Sequence, residues 1–384
     1  MEAMNSYRRV YMAYTKQPYD HVPIYCGSVS SAFASKVLGK EAYVGGGVQR
    51  YREALALWQG KEAHQEFLEK SKQDAWDWAS KLDFDLVRHF YWRYPRKPDE
   101  RLDEYTFLFK RPDQTYYIMR YYPESELFQC VKDTAPPIDD VDKLEDIVLT
   151  MEKNEEKYNP TFELYKDYLD TMAYFKYEKA TYTGGLSLAV PNTEPIWLEA
   201  TVLRPDLVDR YLDVQMNRAL KNIPVLAAVG SKFVFGGGDC AGNRGLLYSP
   251  AVFKNQIVPR LRRISDKCKE YGIFHSFGSD GYFWDVADSL YIDSGIDAHY
   301  EADCICGMDI RSIRSKYPNI TVLGGISSAT LETGTEDEVR AQTMEAINAA
   351  KELGGAIVGC SNLITPATPM KNFTLMMDLL HRYK

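Results

Sequence analysis

Short runs rich in Val, Ile, Phe and Tyr recur along the chain and, from residue 180 onward, alternate with longer stretches of helical periodicity. The strand-like runs lie at 22–26, 84–90, 180–185, 232–238, 271–277, 296–301, 320–326 and 356–361. The helical stretches lie at 204–221, 249–271, 335–353 and 369–383. Repeated strand-then-helix units are typical of a parallel sheet. Eight strands without a reversal of order favour a closed (β/α)8 TIM barrel, an α/β fold, over an open doubly wound sheet.

A different pattern interrupts this alternation between about 104 and 133. The runs YTFLFK, TYYIMRYY and LFQCVK alternate in polarity and are separated by RPDQ and PESE. Such a pattern predicts antiparallel β-hairpins, here inserted after the second strand as a wall or lid. N-terminal helices complete the predicted fold. Because no repeat, linker or low-complexity segment divides the chain, we expect a single domain over 1–384.

The charge of the chain excludes several classes of partner. It has 46 basic and 54 acidic residues, a formal net charge of −8, and the basic residues are scattered. This distribution argues against nucleic acid and anionic membranes as partners. Apolar stretches are too short to span a bilayer, and the N-terminus lacks the apolar segment of a signal peptide. Seven irregularly spaced cysteines indicate a reducing compartment, so we expect a cytoplasmic protein.

The ends of the predicted strands carry an unusual number of reactive side chains. In a TIM barrel, catalytic groups project from the C-terminal strand ends and the loops that follow. We predict His275, Glu301 and Asp239 as catalytic residues, because imidazole and carboxyl groups transfer protons. Other interpretations stay open at this stage. His275 could be a core histidine, Glu301 a surface carboxylate, and Asp239 a cap of the turn that follows the glycines.

The same strand ends supply candidate metal ligands. We predict that His275, Glu301 and Cys360 bind a zinc ion, although a buried cysteine in such a strand more often serves packing. His299 precedes Glu301 by two residues and would share its face in a regular strand, or contact a neighbouring helix. Cys304 and Cys306 lack a second cysteine pair, so packing at a helix start is favoured for them.

Aromatic and basic residues near the second and third strands are candidates for substrate binding. The predicted substrate-binding residues are His89, Tyr91, Arg93, Asn362 and, in the run ATYTGG, the pair Tyr182–Thr183. Tyrosine rings provide flat walls for a small substrate, although ordinary packing accounts for many tyrosines. Arginines in the same region, Arg88, Arg93 and Arg120, would bind a substrate carboxylate or pair with neighbouring acids.

Five segments over residues 180–384 resemble the uroporphyrinogen decarboxylase superfamily, which includes the corrinoid-dependent methyltransferases. They are GGGDCAGNRGLLYSPAVFKNQIVPRL, IFHSFG, GIDAHYEADCICGMDI, VLGGISSATLETGTEDEV and CSNLITPATPMKNF. The resemblance implies a TIM barrel and leaves the activity open. Uroporphyrinogen decarboxylase itself carries an arginine-rich R-x-x-R-Q-A-G-R-Y segment near its N-terminus. The corresponding segment here, PIYCGSVSSAFASKVLGKEAY, has nothing like it, so decarboxylation in the haem pathway is disfavoured.

The methyltransferase branch resembles the chain better. It implies a barrel mouth that accepts a separate corrinoid protein, with a bound zinc that activates the substrate. Thiol-methylating members carry H-x-C-G and a later cysteine as zinc ligands. This chain has Phe277 at the first cysteine position and Asn362 near the second, with Cys360 two residues away. The resemblance therefore favours a demethylase-type member over a thiol methyltransferase.

The resulting hypothesis is a methyltransferase that moves a methyl group from a small donor to the Co(I) of a corrinoid protein. The donor would be a methoxylated aromatic or a methylamine-like compound. Two alternatives stay open. One is a decarboxylase of a carboxylated substrate such as a porphyrinogen, and the other is a non-catalytic barrel that binds a small ligand. The oligomeric state is also open, with a homodimer as one outcome.

Overall fold

A computed structural model describes residues 3–89 and 93–384 of the chain. Eight parallel strands form a closed barrel in which each strand pairs with its neighbours in sequence and the last pairs with the first. They are β1 Ile24–Val29, β2 Leu86–Arg88, β3 Ala180–Ser187, β4 Phe233–Gly237, β5 Phe274–Gly278, β6 Ala298–Ala302, β7 Thr321–Ile326 and β8 Ala356–Ile364. The predicted (β/α)8 TIM barrel is confirmed.

Helices connect these strands and surround the barrel. In chain order they are Ser6–Tyr14, Ser31–Leu38, Gly47–Gln59, Lys61–Lys81, Leu144–Glu156, Lys166–Tyr174, Pro195–Leu203, Pro205–Ala228, Pro250–Val252, Val258–Glu270, Ile310–Lys316, Ser328–Thr333, Glu336–Leu353 and Met370–Tyr383. A π-turn at Phe253–Ile257 joins two of them into one kinked helix after β4. Within the described ranges, no helix combines the length and the apolar character that crossing a membrane requires.

The first helix closes the N-terminal end of the barrel. The Tyr14 hydroxyl lies 2.7 Å from the Ser276 hydroxyl inside the barrel, and the Thr321 hydroxyl donates to the Ala13 carbonyl at 3.2 Å. Large inward side chains fill the space above this helix, namely Tyr25, Leu86, Tyr182, Phe233, Tyr300, Leu323 and Ile357. The interior is therefore a packed core, and a site can form only at the C-terminal ends of the strands.

The predicted hairpins after β2 form a four-stranded antiparallel sheet. Its strands are Glu100–Arg101, Thr106–Lys110, Tyr116–Tyr122 and Leu127–Asp133. The sheet packs its own aromatic core against the helix Gly47–Gln59. The Glu126 carboxylate also accepts hydrogen bonds from the backbone N–H groups of Ser31 at 2.8 Å and Ala32 at 2.5 Å. Because these N–H groups begin the helix after β1, Glu126 ties the insertion to the barrel.

Candidate active site

The open end of the barrel holds a cavity of about 280 Å³. Its described lining comes from the ends of seven strands and the loops that follow them: Ser28, Arg88, Tyr182, Ser187, Phe235, Gly236, Gly237, Gly238, Asp239, Gly278, Asp280, Tyr300, Glu301, Asn362 and Leu363. The size suits a small molecule or part of one. No residue of the inserted sheet belongs to this described lining, so the expectation that the insertion walls the donor pocket does not hold for the cavity.

Aromatic rings form the floor of the cavity. The ring centroids of Tyr182, Phe235 and Tyr300 lie 5.5 to 5.8 Å from one another, and the Tyr182 and Tyr300 hydroxyls are 3.2 Å apart. Tyr25 packs beside Tyr300 and is 1% exposed, and its hydroxyl has no hydrogen-bond partner among the described residues. The floor thus offers flat apolar faces with hydroxyl groups between them.

Glu301 faces this cavity because the end of β6 is irregular. The register between β6 and β7 shifts between Tyr300 and Ala302, and Glu301 adopts a φ of 70°. A side chain in this left-handed region is uncommon, and such strained positions cluster at functional sites. In a regular strand, Tyr300 and Glu301 would point to opposite faces. Here both line the cavity.

The environment of Glu301 keeps its carboxyl group protonated near neutral pH. Burial raises its pKa to about 8, and the nearby carboxylates of Asp280 and Asp239 add to this effect. The positive charge of Arg88 opposes it. A neutral carboxylic acid at the floor of a small cavity can donate a proton to a bound molecule.

Two more carboxylates stand at the cavity wall. Asp239 follows the three glycines of β4 as predicted, and burial together with the charge of Asp280 raises its pKa. The Asp280 carboxylate accepts a hydrogen bond from the Asn362 side-chain amide at 2.9 Å. Sequence reasoning had placed Asn362 among the substrate-binding residues and had missed Asp280. The available signal was its place in the turn GSDG, directly after β5.

The structure does not bring His275 to this cavity. Its ring is fully buried against the helix Val258–Glu270, where Nδ1 lies 2.9 Å from the Ser265 hydroxyl. Burial lowers the pKa of the ring to about 3, so it stays neutral. The next residue, Ser276, faces the barrel interior, and strand alternation therefore turns His275 outward. The expectation that His275 and Glu301 work side by side is corrected accordingly.

Of the described residues predicted for substrate binding near β2 and β3, namely His89, Arg93, Tyr182 and Thr183, Tyr182 alone lines the cavity. The His89 ring is buried outside it, with Nδ1 3.0 Å from the Tyr182 carbonyl oxygen and its pKa lowered to about 3 by burial. Thr183 is buried and is not part of the lining, since alternation turns it away from the face of Tyr182. Tyr91 lies outside the described residues.

The arginines singled out from sequence have different environments. Arg93 donates to the buried Glu53 carboxylate from Nε at 2.8 Å and from Nη2 at 2.5 Å, away from the cavity. Arg120 pairs with Asp103 at 3.0 Å on the inserted sheet. Neither lines the cavity, whereas Arg88 does, and its Nη1 donates to the Gly27 carbonyl oxygen at 2.9 Å.

The predicted zinc ligands are not grouped. The Cys360 thiol donates to the Asn362 carbonyl oxygen at 3.2 Å, and burial raises its pKa to about 12. His299 is also occupied, with its ring nitrogens 2.7 Å from the Tyr291 hydroxyl and 2.9 Å from the Ser279 carbonyl oxygen. Across the described parts of the chain, no three His, Cys, Asp or Glu side chains lie close enough to hold a metal ion. His275, Glu301 and Cys360 therefore do not form the predicted site.

Comparisons with known proteins agree with the sequence motifs. Residues 197–383 match the family described as uroporphyrinogen decarboxylase (URO-D). This match agrees with the superfamily predicted from the sequence motifs. A search of curated proteins finds no match for the chain. The match covers β4 to β8, the part of the barrel that carries Asp239, Asp280, Glu301 and Asn362.

Solved structures extend the likeness to the whole barrel. A methyltransferase from Methanosarcina mazei is 14% identical, with a TM-score of 0.63 over 99% of each chain. The IOLI protein with a bound zinc atom is 12% identical over 58% of this chain and 85% of its own, with a TM-score of 0.30, too low to indicate the same fold. The first likeness shows the fold. The match over residues 197–383 supports an enzyme related to uroporphyrinogen decarboxylase.

Proposed function

We propose that this protein is a methyltransferase that moves a methyl group from a small O-methyl donor, such as a methoxylated aromatic, to the Co(I) of a corrinoid protein. The observation that carries the proposal is the position of the Glu301 carboxyl group in a small cavity at the barrel mouth, where burial raises its pKa to about 8. The family match and the aromatic floor support it.

The reaction needs a group that protonates the departing oxygen. When the Co(I) acceptor attacks the methyl carbon, a carbon–cobalt bond forms as the carbon–oxygen bond breaks, and the electron pair of that bond stays on oxygen. As the bond breaks, Glu301 transfers its proton to this oxygen, and solvent at the mouth afterwards returns a proton to the carboxylate. General acid catalysis of this kind contributes about 10²- to 10⁴-fold in rate. Tyr182, Phe235 and Tyr300 would hold the donor in line for attack.

The cavity argues against a porphyrinogen as the substrate. A porphyrinogen carries several carboxylates on a large ring, and the cavity of about 280 Å³ is lined by three acidic residues and one arginine. Asp239 and Asp280 would repel such a substrate, and a single cation cannot pair with all its carboxylates. The decarboxylase alternative therefore receives less support than methyl transfer from an uncharged donor.

Several finer expectations stay predictions. They are the corrinoid protein as the partner, the zinc ion, the cytoplasmic location, the single domain and a homodimer. The described side chains of His275, His299 and Cys360 are held in other hydrogen bonds and fit a zinc ion poorly, so the proposed step involves only residues that line the cavity. Zinc bound through other groups would add Lewis-acid activation of the donor oxygen.

An isotope-labelling experiment separates the three functions. Purified protein is incubated with cob(I)alamin and a methoxylated aromatic labelled with ¹³C in its methoxy group. The proposal predicts a ¹³C-methyl–cobalt NMR signal and one equivalent of the free phenol. Release of carbon dioxide from a carboxylated analogue without methyl transfer would support the decarboxylase instead. Saturable donor binding without any product would support the non-catalytic barrel.

A further inference from the structure

We infer that His299 is a positioning residue of this site, whose buried imidazole fixes the loops that carry Asp239 and Asp280 beside Glu301. The inference rests on the proposed function, in which Glu301 is the general acid, and deepens it by naming the group that holds the charged neighbours of this acid in place. The His299 ring does not belong to the described lining of the cavity, so it acts through other residues.

The His299 ring is fully buried between β6 and the π-helical segment Ser289–Asp293. Its centroid lies 5.5 to 6.3 Å from the ring centroids of Phe277, Phe283 and Tyr291. Burial lowers the pKa of the imidazole to about 4, so the ring is neutral at physiological pH. A neutral imidazole has one nitrogen that donates a hydrogen bond and one that accepts.

The two contacts of the ring decide which nitrogen carries the proton. Nε2 lies 2.9 Å from the Ser279 carbonyl oxygen, which can only accept, so Nε2 carries the proton and donates. Nδ1 therefore accepts from the Tyr291 hydroxyl at 2.7 Å. Tyr291 thus orients the ring while the ring binds the loop after β5. Because these groups are buried, breaking either bond leaves a polar group without water to replace its partner.

Ser279 connects the two loops that carry the carboxylates. It is fully buried, and its hydroxyl accepts a hydrogen bond from the Cys240 backbone N–H at 3.3 Å and donates to the Asp280 carbonyl oxygen at 3.1 Å. Cys240 directly follows Asp239 in the chain. A displacement of Ser279 would therefore move the backbone at both carboxylates. The bond from His299 to the Ser279 carbonyl opposes this displacement.

The positions of these carboxylates affect the charge of Glu301. Asp239 and Asp280 line the cavity with Glu301, and both add to the rise in its pKa that burial causes. Arg88, at the end of β2, acts in the opposite direction. Hydroxyl groups also lie within electrostatic range of Glu301, namely those of Tyr25, Tyr182 and Tyr300. Because like charges repel, freed loops would let the carboxylates separate, and the restraint at Ser279 therefore keeps Glu301 protonated.

A ¹³C NMR titration of the Glu301 carboxyl carbon tests the inference. The full-length protein is labelled with ¹³C-glutamate, and the signal that is absent from Glu301→Gln is assigned to Glu301. His299→Phe keeps a buried ring without either hydrogen bond. In this variant we expect the pKa of Glu301 to fall by about 1 from its value of about 8, so that the protonated fraction at pH 8 drops about fivefold. His299→Gln, whose amide can still donate to the Ser279 carbonyl, should restore most of the wild-type value.

The control is His275→Phe, which replaces another fully buried histidine, one whose ring contacts Ser265 outside the cavity. It should leave the pKa of Glu301 unchanged. Circular dichroism and thermal unfolding show whether each variant is folded. If the pKa of Glu301 in folded His299→Phe equals that of the wild type, His299 only fills the core and the inference is overturned.

A second background shows whether His299 acts through the carboxylates. In Asp280→Asn, one of the charges that His299 holds in place is absent, so the further effect of His299→Phe on the pKa of Glu301 should be smaller than in the wild type. An equal effect in both backgrounds would refute the inference. If His299→Phe does not fold, Tyr291→Phe takes its place, because it removes the bond that orients the ring. A fall in the pKa of Glu301 in that variant supports the inference, and an unmoved pKa overturns it.

The titration needs neither a corrinoid nor a methyl donor, so it separates this inference from the proposed function. If the wild type transfers no methyl group, the proposed function fails, and a lower pKa of Glu301 in His299→Phe still supports the positioning role. If the wild type transfers methyl groups and the pKa of Glu301 is the same in the wild type and His299→Phe, the proposed function stands and the role of His299 is refuted.

Discussion

The side-chain amide of Asn362, near the end of β8, donates a hydrogen bond of 2.9 Å to the carboxylate of Asp280, in the loop after β5. The bond joins two strand ends on opposite sides of the barrel mouth and fixes a carboxylate beside the cavity. Asp280 is also the nearby charge that contributes most to the raised pKa of Glu301, after burial. This pair therefore helps to set the protonation state of the proposed general acid.

Removing the charge of Asp280 should shift the pH dependence of the reaction. Asp280→Asn takes away a negative charge that favours the protonated form of Glu301, so the pKa of Glu301 should fall from about 8. A general acid works in its protonated form, and activity is lost as pH rises through its pKa. The basic limb of the plot of kcat/KM against pH should therefore move to lower pH. Asp293→Asn, at the exposed end of the π-helical segment Ser289–Asp293, is the matched control, and an unmoved limb in Asp280→Asn would contradict this account.

Glu301 should lower the stability of the protein at alkaline pH. Its folded pKa of about 8 lies above the ordinary value of 4.5, so the unfolded chain ionises first as pH rises. The contribution of this carboxyl group to the free energy of unfolding is fully present below pH 4.5, and it is lost progressively as pH rises towards 8. Glu301→Gln cannot ionise, and relative to wild type it should gain about 4 kcal/mol between pH 5 and pH 9, since each pKa unit corresponds to about 1.4 kcal/mol. Urea unfolding of both proteins at the two pH values measures the difference, and a constant difference would show that the carboxyl is not neutral in the folded state.

His275 should matter for folding and hardly at all for catalysis. Its buried ring contacts Ser265 and lies outside the cavity, so His275→Ala leaves a void and an unpaired hydroxyl. We expect a loss of about 2 to 4 kcal/mol in the free energy of unfolding, with kcat per folded molecule within about twofold of wild type. Urea unfolding and active-site titration give the two quantities. If the His275→Ala protein is folded and its kcat is reduced a hundredfold, His275 takes part in catalysis and this prediction is wrong.

Most of the barrel could be predicted from sequence because strand and helix periodicities are local properties. Each of the eight strands overlaps one of the predicted runs, and the inserted antiparallel sheet overlaps the predicted region. Asp239 and Asn362 were found because they directly follow well-marked strands. Glu301 was found for the same reason, although the sequence contains no sign of the bulge that turns it into the cavity.

The site residues that the sequence placed wrongly are those whose position depends on which face of a strand they occupy. His275, His299 and Cys360 are close in sequence to cavity residues, but strand alternation turns them towards the helices. A shift of one position in register exchanges the two faces of a strand, and sequence alone does not reveal that shift. Asp280 was not singled out from the sequence because charged side chains near strand ends are common, and only the closed barrel shows which of them meet at the cavity.

The attachment of the inserted sheet can be tested through Glu126. Its carboxylate accepts two backbone N–H groups at the start of the helix Ser31–Leu38, and Glu126→Ala leaves them without these partners. We expect a loss of about 1 to 2 kcal/mol in stability and faster hydrogen exchange in residues 100–133. Glu124→Ala, an exposed residue of the same turn, is the control. Exchange rates that stay equal in both variants would show that the aromatic core alone holds the sheet in place.

The rate of methyl–Co(III) formation at pH 7 from cob(I)alamin and a methoxylated aromatic donor tests the central claim most directly. The absorbance change that marks methyl–cobalt is followed with wild type and with Glu301→Gln, whose folding is checked first. The account predicts saturable formation of methyl–cobalt by the wild type, and a rate about 10²- to 10⁴-fold lower in Glu301→Gln. Failure of the wild type with every methoxylated donor, or equal rates in the two proteins, would contradict it.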